Sequence, residues 1–222
     1  MNMKTDTAAA GALEYLVRQP KVKTTKPPVI ILLHGVGSNE KDLFSFANQL
    51  PDSYLVISAR APFTLGPESF AWYHVDFSAS KPIINKEEEE KSRNTIIQFI
   101  TDLKKDFVFD EGQVFLAGFS QGAIMAYSVG LTRPDLVRGV IAMSGRLLDE
   151  VKPFIASQEK VCKLKVFISH GTNDPVLGIQ YARESLAFLQ TLKINATYKE
   201  YPEGHTISST MLSNMVQWLQ EI

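Results

Sequence analysis

The run Val29-Ile30-Ile31-Leu32-Leu33 contains no polar residue and stops abruptly at His34-Gly35. A strand with one wet face alternates apolar and polar residues. A run apolar at every position suits a strand covered on both faces, as in a parallel sheet. The pattern recurs. Val114-Phe115-Leu116-Ala117 stops at Gly118, Gly139-Val140-Ile141-Ala142-Met143 at Ser144-Gly145, and Val166-Phe167-Ile168 at Ser169-His170-Gly171. Leu55-Val56-Ile57 is a shorter example. Parallel strands need crossover connections, and the intervening segments have helical spacing. Leu43, Phe46, Ala47 and Leu50 share a face from near Asn39. Ile96, Ile100, Leu103 and Phe107 do so from about Glu87, and Ile179, Ala182, Leu186 and Leu189 follow the same spacing. Met211, Met215, Leu219 and Ile222 close the chain. The alternation predicts an α/β architecture: a mostly parallel central sheet with helices on both faces.

A chain of 222 residues with no linker, repeat or composition break reads as one domain over 1–222, with residues 1 to about 10 a candidate disordered start. Lys and Arg number 23 against 24 Asp and Glu, so net charge gives no support for a nucleic-acid or polybasic membrane binder. The lone Cys162 excludes an intrachain disulfide framework and a cysteine-cluster zinc site, and it fits a reducing compartment. No apolar run approaches the ~20 residues of a membrane span, and the first residues lack a signal-peptide core. A cytoplasmic protein without stable membrane insertion is expected. A homodimer stays open. The run Glu87-Glu88-Glu89-Glu90 reads as the solvated start of a helix, where negative charge offsets the helix dipole.

Chemistry concentrates at Gly118-Phe119-Ser120-Gln121-Gly122, between the strand at 114–117 and a helical stretch at 123–131. Strand, sharp turn and helix is the context in which G-x-S-x-G presents a nucleophilic serine. The helix N-terminus behind it favours developing negative charge. A serine hydroxyl needs a base, and the base needs an orienting group. In this context an acid and then a histidine follow the serine along the chain. Asp174, in His170-Gly171-Thr172-Asn173-Asp174-Pro175, and His205, in Glu203-Gly204-His205-Thr206, occur in that order after the strands at 166–168 and 197–201. Asp149 is the rival acid. Among the other histidines, His34 and His170 read as structural turn residues, while His74 either lines a pocket or is simply exposed. Their spacing matches no metal motif, so no metal is expected.

Two backbone donors are expected for the oxyanion: the N–H of Gln121, next to the nucleophile, and that of Val36 in His34-Gly35-Val36-Gly37. About twenty residues separate Gly145 from Val166, too few for a large cap. The aromatic-rich segment 61–84 is expected to form the pocket wall, with Trp72 contributing and core packing its alternative.

Taken together, Leu33-His34-Gly35-Val36-Gly37-Ser38-Asn39-Glu40, Ala71-Trp72-Tyr73, Gly118-Phe119-Ser120-Gln121-Gly122-Ala123, Pro134-Asp135-Leu136-Val137, Ile141-Ala142-Met143-Ser144-Gly145, His170-Gly171-Thr172-Asn173-Asp174-Pro175-Val176 and Gly204-His205 resemble the α/β-hydrolase superfamily. Within it they are similar to the small phospholipase/carboxylesterase family, which also contains acyl-protein thioesterases. The resemblance implies an α/β-hydrolase fold without a large cap. It also implies a cofactor-free serine hydrolase acting on carboxylic esters or thioesters. A pocket without a large cap suits small-molecule esters of short to medium acyl chain, cleaved through an acyl-enzyme. Ser120, Asp174 and His205 match the triad, and Val36 and Gln121 the oxyanion donors. Lysophospholipase, acyl thioesterase or acyltransferase chemistry are the alternatives. Thioesterase-type members commonly carry Asp two positions after the Trp, where this chain has His74.

Overall fold

The computed structural model describes residues 13–76, 78 and 82–222. The expected disordered start at 1–10 lies outside the described residues. The strands are β1 (Tyr15–Arg18), β2 (Val29–Leu33), β3 (Leu55–Ala59), β4 (Phe63–Gly66), β5 (Ser69–Ala71), β6 (Val75–Asp76), β7 (Ile83–Ile84), β8 (Val114–Phe119), β9 (Gly139–Met143), β10 (Lys165–Gly171) and β11 (Ala196–Tyr201). The helices are α1 (Glu40–Phe44), α2 (Lys86–Asp106), α3 (Gln121–Thr132), α4 (Gln158–Val161), α5 (Gln180–Thr191) and α6 (Ser209–Glu221). The fold is α/β-hydrolase-like, a mostly parallel central sheet flanked by helices.

Seven strands form that sheet in the order β1-β3-β2-β8-β9-β10-β11. Only β1 is antiparallel, pairing Tyr15 with Ala59 at the edge. The apolar runs are buried throughout: every residue of β2, β3 and β9 is inaccessible, because both faces of the sheet are covered. One face packs Ile31, Leu33, Leu116 and Ala142 against α2, α3 and α5. The other packs Ile30, Leu32, Phe115, Ile141 and Phe167 against α1 and α6, with Trp218 wedged between Phe115 and Phe167. Burying each of these Ile, Leu and Phe side chains stabilises the fold by about 1.5–3 kcal/mol. The chain leaves β2 toward β3 on one side, and β8 to β11 build the other side. The β2/β8 boundary is thus the switch point, where open α/β sheets leave a crevice at their carboxyl ends.

Three expectations change, and the expected absence of a large cap holds. The helix from Asn39 is short: α1 ends at Phe44, and Ala47–Gln49 forms a separate 3-10 turn. The segment 61–84, which shows no clear periodicity in the sequence, holds two small hairpins, β4/β5 and β6/β7. The acidic run is not wholly solvated. Glu89 is 3% exposed because helical spacing puts it on the inward face with Arg93 and Ile96. Glu88 accepts from both the backbone and the ring of His74. The loop from Gly145 to Val166 carries only the 3-10 turn Asp149–Phe154 and α4, so no large cap covers the sheet.

Candidate active site

Ser120 is the residue between β8 and α3 and has φ 53°, ψ −118°. A non-glycine residue held there costs on the order of 1–3 kcal/mol, which the surrounding structure must offset. The two glycines of the motif are required by space. A Cβ on Gly122 would sit 1.9 Å from Leu33 O, and one on Gly118 would sit 2.2 Å from the carbonyl carbon of Gly122. Their absence of side chain lets the turn close tightly on β2. Ser120 N–H donates to Met143 O at 3.0 Å, tying the turn to β9.

Asp174 and His205 reach Ser120 from separate loops. Ser120 Oγ and His205 Nε2 are 2.9 Å apart, and His205 Nδ1 lies 2.7 Å from Asp174 Oδ2. The partners assign the tautomer: Nδ1–H donates to the carboxylate, leaving Nε2 to accept from the serine hydroxyl. Asp174 Oδ1 accepts from the N–H groups of Val176 and Leu177, each at 2.8 Å. This turn across Pro175 aims Oδ2 at the imidazole. Thr172 N–H donates to Tyr201 O and Asn173 N–H to Glu203 O, which holds the aspartate loop against the histidine loop. The Phe119 ring lies 4.9 Å from the His205 ring.

A cleft of about 450 Å³ opens over the serine, lined by Gly35, Val36, Ser38, Asp42, Phe119, Val176 and His205, among others. Val36 and Gln121 flank Ser120 from the two sides of the switch point. Neither backbone N–H donates to an acceptor among the described residues. For Gln121 that is the ordinary state of a first-turn helix donor.

Trp72 does not line this cleft. It is fully buried, with Nε1–H donating to His34 O at 2.9 Å, so the expectation of a pocket-wall residue is corrected in favour of packing. The aromatic richness of 61–84 signalled burial, and the sequence offers no way to tell a buried wall from a wetted one. His34 and His170 are fully buried, each with a ring nitrogen bonded to a backbone carbonyl. His170 Nε2–H donates to Leu177 O at 2.6 Å, and it stands 3.4 Å from Asp174 Oδ2. Its place behind the aspartate loop was not anticipated; the spacing of four to Asp174 was the available signal. Asp149 is exposed and paired with Lys152, far from any such role. Among the described residues no cluster of His, Cys, Asp or Glu could hold a metal ion. No described helix is long and apolar enough to cross a membrane.

Comparison with known proteins places this geometry in context. The chain is 28% identical to acyl-protein thioesterase 1 of Kluyveromyces lactis over 87% of its own length and 91% of the relative's. It is 26% identical to the carboxylesterase SOBER1 of Arabidopsis thaliana over 86% and 89%. A carboxylesterase from Bacillus cereus superposes with a TM-score of 0.80 at 22% identity, covering 94% of each chain, a likeness of fold. The phospholipase/carboxylesterase family model matches residues 15–222, and the chain is a hydrolase that belongs to that family.

Proposed function

We propose that Ser120, His205 and Asp174 act as nucleophile, base and orienting acid of a serine hydrolase that cleaves carboxylic esters of short to medium acyl chain. The observation that carries the reading is the unbroken path from Ser120 Oγ through the His205 ring to Asp174 Oδ2. His205 takes the serine proton as Oγ attacks the ester carbonyl. Asp174 orients the imidazole and stabilises its charged form. The N–H groups of Val36 and Gln121 stabilise the tetrahedral oxyanion. The imidazolium then gives its proton to the departing alcohol, leaving an acyl-serine. Water, deprotonated by His205, attacks that ester and releases the acid. No cofactor enters.

The uncapped cleft with Phe119 and Val176 on its walls supports modest acyl groups. Because Ser120, Asp174 and His205 come from loops after three strands of one sheet, we read the chain as one catalytic domain. The near-neutral charge supports small-molecule rather than nucleic-acid substrates, and the exposed free thiol of Cys162 supports a reducing, cytoplasmic setting. A thioester substrate is the second reading, favoured by the similarity to a relative named acyl-protein thioesterase.

The test is hydrolysis of p-nitrophenyl esters from acetyl to palmitoyl beside a matched acyl thioester, with Ser120→Ala as control. A short-chain ester optimum lost in the variant is expected. A thioester preference establishes the second reading, a long-chain ester optimum overturns the short-to-medium chain length, and full activity in Ser120→Ala overturns both readings.

A further inference from the structure

Behind the two backbone donors lies a buried polar array that links them. The Gln121 side chain, in a residue 3% exposed, points away from the cleft. Its Oε1 accepts from Trp72 N–H at 2.8 Å, and its Nε2 donates to Tyr73 O at 2.7 Å. Trp72 in turn donates Nε1–H to His34 O at 2.9 Å. The His34 ring closes the chain. Ala61 N–H donates to its Nε2 at 3.0 Å, which makes that nitrogen an acceptor and puts the ring proton on Nδ1. Nδ1–H then donates to Gly35 O at 2.8 Å. Burial holds the His34 pKa below its usual value, in keeping with a neutral ring.

The consequence follows from peptide geometry. In a trans peptide the C=O and the N–H point in opposite directions, and the described chain has no cis bond. Clamping Gly35 O toward the imidazole turns Val36 N–H away from it, on the side where Val36 lines the cleft. Gln121 presents one donor on its own backbone and grips, through its side chain, the tryptophan that holds the loop carrying the other.

We propose that the side chains of His34, Trp72 and Gln121 form one positioning array that sets both oxyanion donors relative to Ser120. The proposal rests on the acyl-transfer reading above. None of the three side chains touches substrate; they act through the backbone they hold. Donors aimed at an oxyanion work only within a narrow distance range, roughly 2.7–3.1 Å, so a small shift of either loop is felt in the transition state and not in substrate binding.

Trp72→Phe keeps a buried ring and removes one donor. Gln121→Glu keeps the acceptor for Trp72 N–H and sets an oxygen against Tyr73 O; Gln121→Met, which removes both bonds without adding charge, stands in if the glutamate variant does not fold. Each is compared with wild type for kcat and KM on one p-nitrophenyl ester, and for inhibition by a trifluoromethyl ketone of the same acyl group. That ketone places an oxyanion in the hole when Ser120 adds to it. The expected result is a fall in kcat of about tenfold, smaller than the ~10²–10³ of losing a donor outright. KM stays within about twofold, and ketone affinity falls by the same factor as kcat. The double variant falls well short of the product of the singles, because both break one array. Unchanged kcat and ketone affinity overturn the proposal. So does a rise in KM alone, or an activity loss that tracks a lowered Tm while ketone affinity holds. Ser120→Ala, run alongside, separates the two levels. If it retains hydrolysis the acyl-transfer reading fails; if it is inactive while the array variants match wild type, only the array fails.

Discussion

Replacing Asp174 by Asn tests the orientation of the base with little change in shape. The carboxylate uses its two oxygens differently: Oδ1 accepts two backbone N–H groups and Oδ2 accepts His205 Nδ1–H. An asparagine has one oxygen for the two jobs. Keeping its oxygen on Val176 and Leu177 N–H turns its NH₂ toward His205. The imidazole must then accept at Nδ1 and carry its proton on Nε2, where it cannot take the Ser120 proton. The opposite orientation restores the tautomer but sets the NH₂ against two backbone N–H groups in a buried site. Leaving those two buried donors unsatisfied and facing an NH₂ costs roughly 3–6 kcal/mol, toward the upper end of the about 1–3 kcal/mol for each. At 1.36 kcal/mol per decade this leaves on the order of 10⁻² to 10⁻⁴ of the molecules competent. Asp174→Asn should therefore lower kcat by about 10²–10⁴ with KM little changed. The assay is steady-state hydrolysis of a p-nitrophenyl ester, with circular dichroism and Tm to establish folding. A folded variant that loses less than tenfold would refute the reasoning, because Asp174 would then not be orienting His205.

Gly122→Ala should lower stability by about 1–3 kcal/mol or abolish folding, since its Cβ would meet Leu33 O at 1.9 Å and backbone must move; urea unfolding reads this directly. Val36→Ala should leave kcat within about twofold, because the proposed donor is the N–H and the side chain is exposed. Glu40 gives a pH prediction. Burial pushes its carboxyl up, but the paired bonds from Arg60, a backbone N–H and the positive charges of Arg60 and Lys41 together outweigh that and hold its pKa below the usual value. A depressed folded pKa contributes stability above the unfolded value, lost as pH falls below about 4.5 through the folded pKa. Glu40→Gln should thus flatten the stability profile in that window, measured by urea midpoints between pH 6 and pH 3; an unchanged slope would contradict the pair's role.

The parallel strands were legible because strands covered on both faces carry an apolar residue at every position, as in β2 and β9. The grouping of Ser120, Asp174 and His205 was legible because these residues follow strand ends in a fixed order. What escaped the sequence depends on distant partners. Trp72 is buried by contacts with His34 and Gln121, 38 and 49 residues away, and no local spacing encodes them. Glu89 looks like its three acidic neighbours until α3 packs over the inward face of α2. The hairpins β4/β5 and β6/β7 are too short for a period of two to emerge. Edge strand β1 has only Tyr15 fully inside, so it lacks the apolar run that marks the others.

The most direct test of the central claim is intact-protein mass after rapid acid quenching of the protein with excess p-nitrophenyl ester, for wild type and Ser120→Ala. An acyl-sized mass increase mapped by peptide analysis to Ser120, absent from the variant, is the predicted result. An increase that persists in Ser120→Ala, or that maps to another residue, would contradict it.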